Sequence, residues 1–229
     1  MKTKILKSAL PAVLLLGLSA PASDAAAIAF SQEAYADSAI STTGTLVGAL
    51  NVNAAETVNT VPFSAIATSY TNPITLGSGV SLDAFNGGGT TVGADDLGAP
   101  GALTSDFFYT SGAGTGYLTF LGLTVAQPYE LQMVMSDTRV VSMNIWGDQT
   151  TNAGASDIFV DHGQSASKLV TGTFTADGTG SQSLYVEVLA GFPGHFNALQ
   201  LRAVPEPSAA LLSIFGAAGL LFRRRRTAR

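Results

Sequence analysis

Cysteine is absent from this chain. Disulfides, thiolate metal sites and a cysteine nucleophile are therefore excluded, and a core of ordinary size must hold the fold unaided. Histidine occurs twice, as His162 and His195, and tryptophan once, as Trp146. Basic residues are scarce as well. Between residues 28 and 203, Arg139, Lys168 and Arg202 stand against fourteen acids, a net of −11. Such a surface repels polyanions, which excludes nucleic acid as a partner and disfavours anionic lipid. No G-x-S-x-G elbow supports a serine hydrolase, and no D-x-[DN]-x-[DN]-G run supports an EF-hand. The middle of the chain also lacks any long apolar pattern of helical period.

The chain does carry addresses at both ends. Lys2, Lys4 and Lys7 precede a short apolar stretch over 10–18, and Ala25-Ala26-Ala27 offers an A-x-A cleavage site. This pattern predicts a secretory signal peptide over 1–27 and a mature chain starting near Ile28. At the other end, Val204-Pro205-Glu206-Pro207-Ser208 leads into an apolar run over 209–222, and Arg223, Arg224, Arg225 and Arg226 follow at once. The prolines fix φ and remove backbone donors, so regular structure is expected to stop there. The arginines resist translocation and hold their end on the cytoplasmic side. A run of 14 residues falls short of the roughly 20 that a full span needs, although snorkelling and local thinning can rescue a short span. From the residues alone, an uncleaved tail anchor and an amphipathic surface helix also remain open.

The order Pro-Glu-Pro, apolar segment and arginine cluster over 204–229 resembles the PEP-CTERM sorting signal of Gram-negative bacteria. The resemblance implies export across the inner membrane and transient anchoring by a single apolar helix. It further implies recognition of the Pro205-Glu206-Pro207 signal by an exosortase-type membrane protease, then removal of the tail. The setting it implies is the cell surface or matrix, among exopolysaccharide and biofilm components.

The 176 residues over 28–203 suit one domain. Strands are predicted over 45–52, 57–68 with a break at Pro62, 80–85 and 117–121. In 129–136, Tyr129, Leu131, Met133 and Met135 alternate with Glu130, Gln132, Val134 and Ser136, a period of two that predicts one buried face. Further strands are expected over 141–146, 157–160, 170–176, 184–189 and 197–203. Asp177-Gly178-Thr179-Gly180 reads as a hairpin turn. Short strands, Gly-rich turns and no convincing core helix predict an all-β fold, an antiparallel β-sandwich of jelly-roll type. The segments Gly122-Leu123-Thr124-Val125, Phe174-Thr175-Ala176 and 197–202 resemble extracellular jelly-roll domains similar to galactose-binding-like and carbohydrate-binding modules. A fold hosts many functions, so this resemblance does not name a ligand.

The candidate chemistry is sparse. No catalytic residue is assigned. Asp161-His162-Gly163-Gln164-Ser165 holds acid, imidazole and hydroxyl, but neighbours on an extended segment point apart, which argues for a solvated histidine. His195 is read as a partly buried turn residue. Glu130 and Glu187 are read as solvated sheet positions rather than a glycosidase pair. Calcium is the one cofactor the acids suggest. It takes six to eight oxygens, and Asp95 and Asp96, or Asp148, Asp157 and Asp161, lie in loops that can supply some of them. Trp146, Asn144, Asp148 and Tyr185 form the candidate carbohydrate site, with aromatic rings stacking on sugar C–H faces and polar groups fixing orientation. A packed Trp146 is the competing reading. The function this predicts is a non-enzymatic matrix protein with an adhesive or structural role, the alternative being a lectin-like protein assisted by calcium.

Overall fold

The computed structural model describes residues 28–67, 70–85, 89–92, 102–110, 115–137, 141–147, 158–162, 167–188 and 194–205. Strands follow one another along them. The first eight are β1 (Ala29–Ala34), β2 (Thr45–Val52), β3 (Glu56–Val58), β4 (Val61–Ile66), β5 (Ile74–Gly77), β6 (Val80–Ala84), β7 (Gly89–Val92) and β8 (Phe107–Thr110). The rest are β9 (Thr115–Leu121), β10 (Pro128–Met135), β11 (Val141–Trp146), β12 (Ile158–His162), β13 (Lys168–Thr175), β14 (Ser181–Val188), β15 (His195–Phe196) and β16 (Ala198–Ala203). A 3-10 turn, Asp37–Ala39, lies between β1 and β2.

Two sheets carry the fold. The first runs β1-β13-β10-β16-β2-β4-β3, and the second runs β12-β11-β14-β9-β6-β5. A small sheet, β15-β8-β7, adds three strands. Pairing is antiparallel except between β2 and β4, where Leu50 faces Ser64 in parallel register. Period-two apolar residues explain which faces meet. Leu131 and Met133 of β10 and Val170 of β13 turn inward from the first sheet, and Leu118, Phe120, Leu184, Val186, Met143 and Ile145 turn inward from the second. All are buried in one cluster, and burying each such side chain stabilises by about 1.5–3 kcal/mol. The all-β sandwich expected from the sequence is the observed architecture.

Several sequence readings change. β10 is buried on both faces rather than one, because Gln132 and Val134 are covered as well. Residues 35–44 cross the outer face of the first sheet. Beneath them Tyr35, Ile40, Phe63, Leu103, Val134 and Leu169 form a second, smaller core. The 57–68 strand is two strands, β3 and β4, joined by a reversal at Asn59 and Thr60, whose φ values are 46 and 66 degrees. Pro62 sits inside β4 opposite Thr57, so the chain breaks before the proline rather than at it. β1, β5, β7 and β8 fall where no strand was expected. The turn at 177–180 is no hairpin: β13 lies in the first sheet and β14 in the second, so the chain crosses the sandwich there. β10 and β11 are separated between sheets in the same way. Among the described residues no helix is long and apolar enough to cross a membrane. The signal peptide expected over 1–27 and the apolar run over 209–222 lie outside them.

Candidate functional site

On strands of period two, Met143 and Ile145 face the core and Asn144 and Trp146 face out. In register, Trp146 stands opposite Tyr185 of β14, and Tyr185 opposite Tyr117 of β9. The three rings form a row across the outer face of the second sheet. Trp146 and Tyr185 stack with centroids 5.4 Å apart and 14° between planes. Tyr185 and Tyr117 lie 5.7 Å apart at 48°. Asn144 stands opposite Glu187 on one side and Phe159 of β12 on the other. The structure thus brings Trp146, Asn144 and Tyr185 onto one face, while Asp148 lies outside the described residues. Trp146 is only 6% exposed, and one of its faces is already occupied by Tyr185, so it is not the open stacking platform that the sequence suggested. Phe159 is 51% exposed and offers the accessible ring of this face. Phe159 and Tyr117 were not singled out from the sequence. The signal that could have found them is their outward parity on strands flanking β11 and β14.

Asp95, Asp96, Asp148 and Asp157 lie outside the described residues, and Asp161 is exposed on β12. Among the described residues no group of three or more His, Asp or Glu side chains could hold a metal ion. The His162 side chain also lies outside them. His195 is a strand residue in β15, 1% exposed, with its ring 5.2 Å from Phe107, so it is more buried than a turn residue. Glu130 is not on a solvated face. It is half-buried beneath the 35–44 crossing, opposite Arg202 in register.

That crossing is held by a polar network. Gln132 Oε1 accepts from the Ser41 amide at 2.8 Å and from Gln200 Nε2 at 2.6 Å. Gln200 Nε2 also donates to the Ser41 carbonyl at 3.1 Å. The Arg202 guanidinium donates to the carbonyls of Thr42, Thr43 and Gly44 and to Gln200 Oε1. Burial lowers the Arg202 pKa, and the charge of Glu130 opposes the shift. Tyr35 donates to Asp37 at 2.6 Å, and its burial, with that bond and charge, pushes the phenol well above its usual range. These hydrogen bonds tie Gln132, Gln200 and Arg202 to one another and to the backbone of residues 41–44.

The same strand that anchors the crossing delivers the C-terminal tail. Val204 N–H donates to the Pro128 carbonyl at 3.0 Å. Gln127 Nε2 donates to the Val204 carbonyl at 2.6 Å. Pro205 follows, exposed. Val204 and Pro205, expected from the sequence to open a sorting signal, therefore sit at the edge of the folded sandwich, whereas Glu206, Pro207, Ser208, Arg223, Arg224, Arg225 and Arg226 lie outside the described residues.

No protein-family model matches the chain, and no curated protein does. Among solved structures, the chain is similar to the Bacillus subtilis protein YXIM, with 16% identity and a TM-score of 0.41 over 69% of this chain. The match spans 40% of that protein. It is also similar, with 9% identity and a TM-score of 0.23, to TmCBM61, whose structure is a complex with β-1,4-galactotriose. That match covers 55% of this chain and 89% of the module. At these scores neither likeness carries a ligand over to this chain.

Proposed function

We propose that this is an exported, non-enzymatic β-sandwich protein of jelly-roll type, sorted by its C-terminal tail into the exopolysaccharide or biofilm matrix, where it has an adhesive or structural role. The observation that carries the reading is the tail exit. Among the described residues the last hydrogen-bonded one is Val204, and the Pro-Glu-Pro sequence starts on the next residue. A membrane protease of the exosortase type thus meets a complete domain and an extended, donor-poor signal at its rim. Loss of the tail would leave the sandwich intact, because Ala203 and Val204 already complete the edge pairing of β16 with β10.

The test is processing of the full-length chain in a host that carries such a protease. The tail should be removed in wild type and retained in Pro205→Ala/Pro207→Ala, with the retained form staying in the membrane fraction. Unchanged processing in that variant would sink the reading.

A lectin-like role is the second reading, and the outer aromatic row supports it. On this face the half-exposed Phe159 beside the row, with Tyr185 and Tyr117, is more accessible than the face of Trp146. Asn144 and Glu187 beside them can hydrogen-bond hydroxyls. Saturable binding to a polysaccharide, lost in Phe159→Ala/Tyr185→Ala and unaffected by a chelator, would place the sugar on this face without calcium. Binding that the chelator abolishes would point instead to the loop acids.

A further inference from the structure

We propose that the rim of the sandwich from which the tail leaves is a lipid-facing surface, seated on the outer leaflet of the membrane that holds the unprocessed chain. The inference rests on reading residues 209–222 as the membrane segment, and it goes further by assigning an orientation and a contact surface to the domain. Val204 is pinned to Pro128 and Gln127. Only 205–208 separate it from the first residue of the apolar run. At about 3.5 Å per residue, the five steps from Val204 to Ala209 span at most roughly 17 Å. A bilayer's interfacial zone is about 5–8 Å deep on each side, so a domain so tethered has little freedom to stand away from it.

The composition of the rim fits that position. Three turns meet beside Val204. Residues 122–127 are joined to residues 176–180 by hydrogen bonds from Leu123 to Gly180 and from Ala126 to Ala176. Residues 77–79 touch the first turn closely, since a Cβ on Gly122 would meet the Gly79 carbonyl oxygen at 2.5 Å. Across these three turns Asp177 is the one charged side chain, in a domain that holds fourteen acids. Among the described residues the exposed large apolar side chains are Leu121, Val125 and Phe159, at 37%, 54% and 51%. Two of the three, Leu121 and Val125, belong to this rim. An acidic domain that must approach a bilayer is expected to do so with its charge-poor, apolar end.

The chain has no cysteine, so single labels are clean. Val125→Cys and Gly178→Cys place a probe on the rim, and at Gly178 an added Cβ meets nothing within 4 Å. Ser105→Cys is the reference: it is exposed and lies beside Thr104, whose carbonyl takes the Asn197 amide at the opposite end of β16. Each full-length precursor, carrying a polarity-sensitive fluorophore, is floated with phosphatidylcholine vesicles. The expected result is a blue shift and protection from aqueous quencher at 125 and 178, with neither at 105. Flotation with no shift at the rim, or with equal shifts at all three positions, overturns the proposal while leaving the tail as a membrane segment. A precursor that does not float overturns the membrane reading of 209–222 and the proposal with it.

Discussion

Replacing Arg202 by methionine would remove four hydrogen bonds at once while keeping much of the volume. Three of them satisfy the carbonyls of Thr42, Thr43 and Gly44, and the fourth satisfies Gln200. Arg202 itself is 6% exposed, and Glu130 would lose the cation opposite it. Leaving three part-buried carbonyls, the buried Gln200 amide oxygen and a half-buried carboxylate with fewer partners should cost about 1–3 kcal/mol, seen as a lower urea midpoint with little change in slope. Asp177 is a milder case. The Thr179 hydroxyl, with the amides of residues 179–181, holds its carboxyl below the usual carboxylate range. Its folded pKa is depressed, so the stability it adds is complete above the unfolded carboxylate pKa and disappears as pH falls through the folded value. Because the group is largely exposed, that contribution is under about 1 kcal/mol. Asp177→Asn should flatten this part of the acid stability profile in thermal melts, and an unchanged profile would show that the turn bonds carry no linkage. Asp177 was legible as a turn residue, whereas Arg202 was not legible as structural from the sequence. Arg202 and Gln200 alternate with Leu199 and Leu201 and read as solvent-facing; only the chain crossing at 35–44 makes that face an interior.

Elements were easier to see than their partners. The strand over 45–52 coincides with β2, and 80–85, 117–121 and 170–176 differ from β6, β9 and β13 by one or two residues at an end. Period-two alternation of large apolar residues locates a strand because it reports local exposure, which the residue types set directly. It says nothing about which sheet a strand joins. Asp177-Gly178-Thr179-Gly180 has hairpin chemistry, yet the strands it links pair with β10 and β9 instead of each other. The β3–β4 reversal shows the opposite failure. Asn59 and Thr60 both take positive φ without the Asn-Gly signature that marks such turns. A β-branched residue in that region is strained, while Asn59 earns its place by donating to the Ile40 carbonyl at 2.7 Å. Thr60→Gly should therefore stabilise the protein by about 0.5–1 kcal/mol, read as a higher melting temperature, whereas Asn59→Gly should not. A fall in stability for Thr60→Gly would mean that the threonine makes a contact worth more than the strain.

At the scale of the whole molecule, the open side of the sandwich is closed by the first residues of the described chain. β1 adds an edge strand to β13, and Gln32 Nε2 reaches the Phe159 carbonyl of β12 at 2.8 Å, linking the outer edges of the two sheets. Ile28, fully buried, fills the gap between them. A Cβ on Gly147 would meet Ile28 Cγ1 at 2.7 Å, and one on Gly172 would meet Cγ2 at 2.9 Å, so the side chain occupies a hole that two glycines leave open, one beside each sheet. The residue expected at the mature N-terminus is thus part of the core, which the Ala-, Ser- and Thr-rich segment it opens does not reveal. Truncating Ile28 to alanine should cost about 3 kcal/mol, because the cavity is walled by backbone that cannot collapse. Removing 28–34 from the mature chain should do more: it uncovers the β13 edge and the apolar gap together, and such an edge recruits another strand. Size-exclusion chromatography should then show concentration-dependent oligomers, and a synthetic peptide of residues 28–34 should return the protein to a monomer with a raised melting temperature. If the truncated protein stays monomeric and keeps its melting temperature, β1 and Ile28 are ornaments on a sandwich closed by other means.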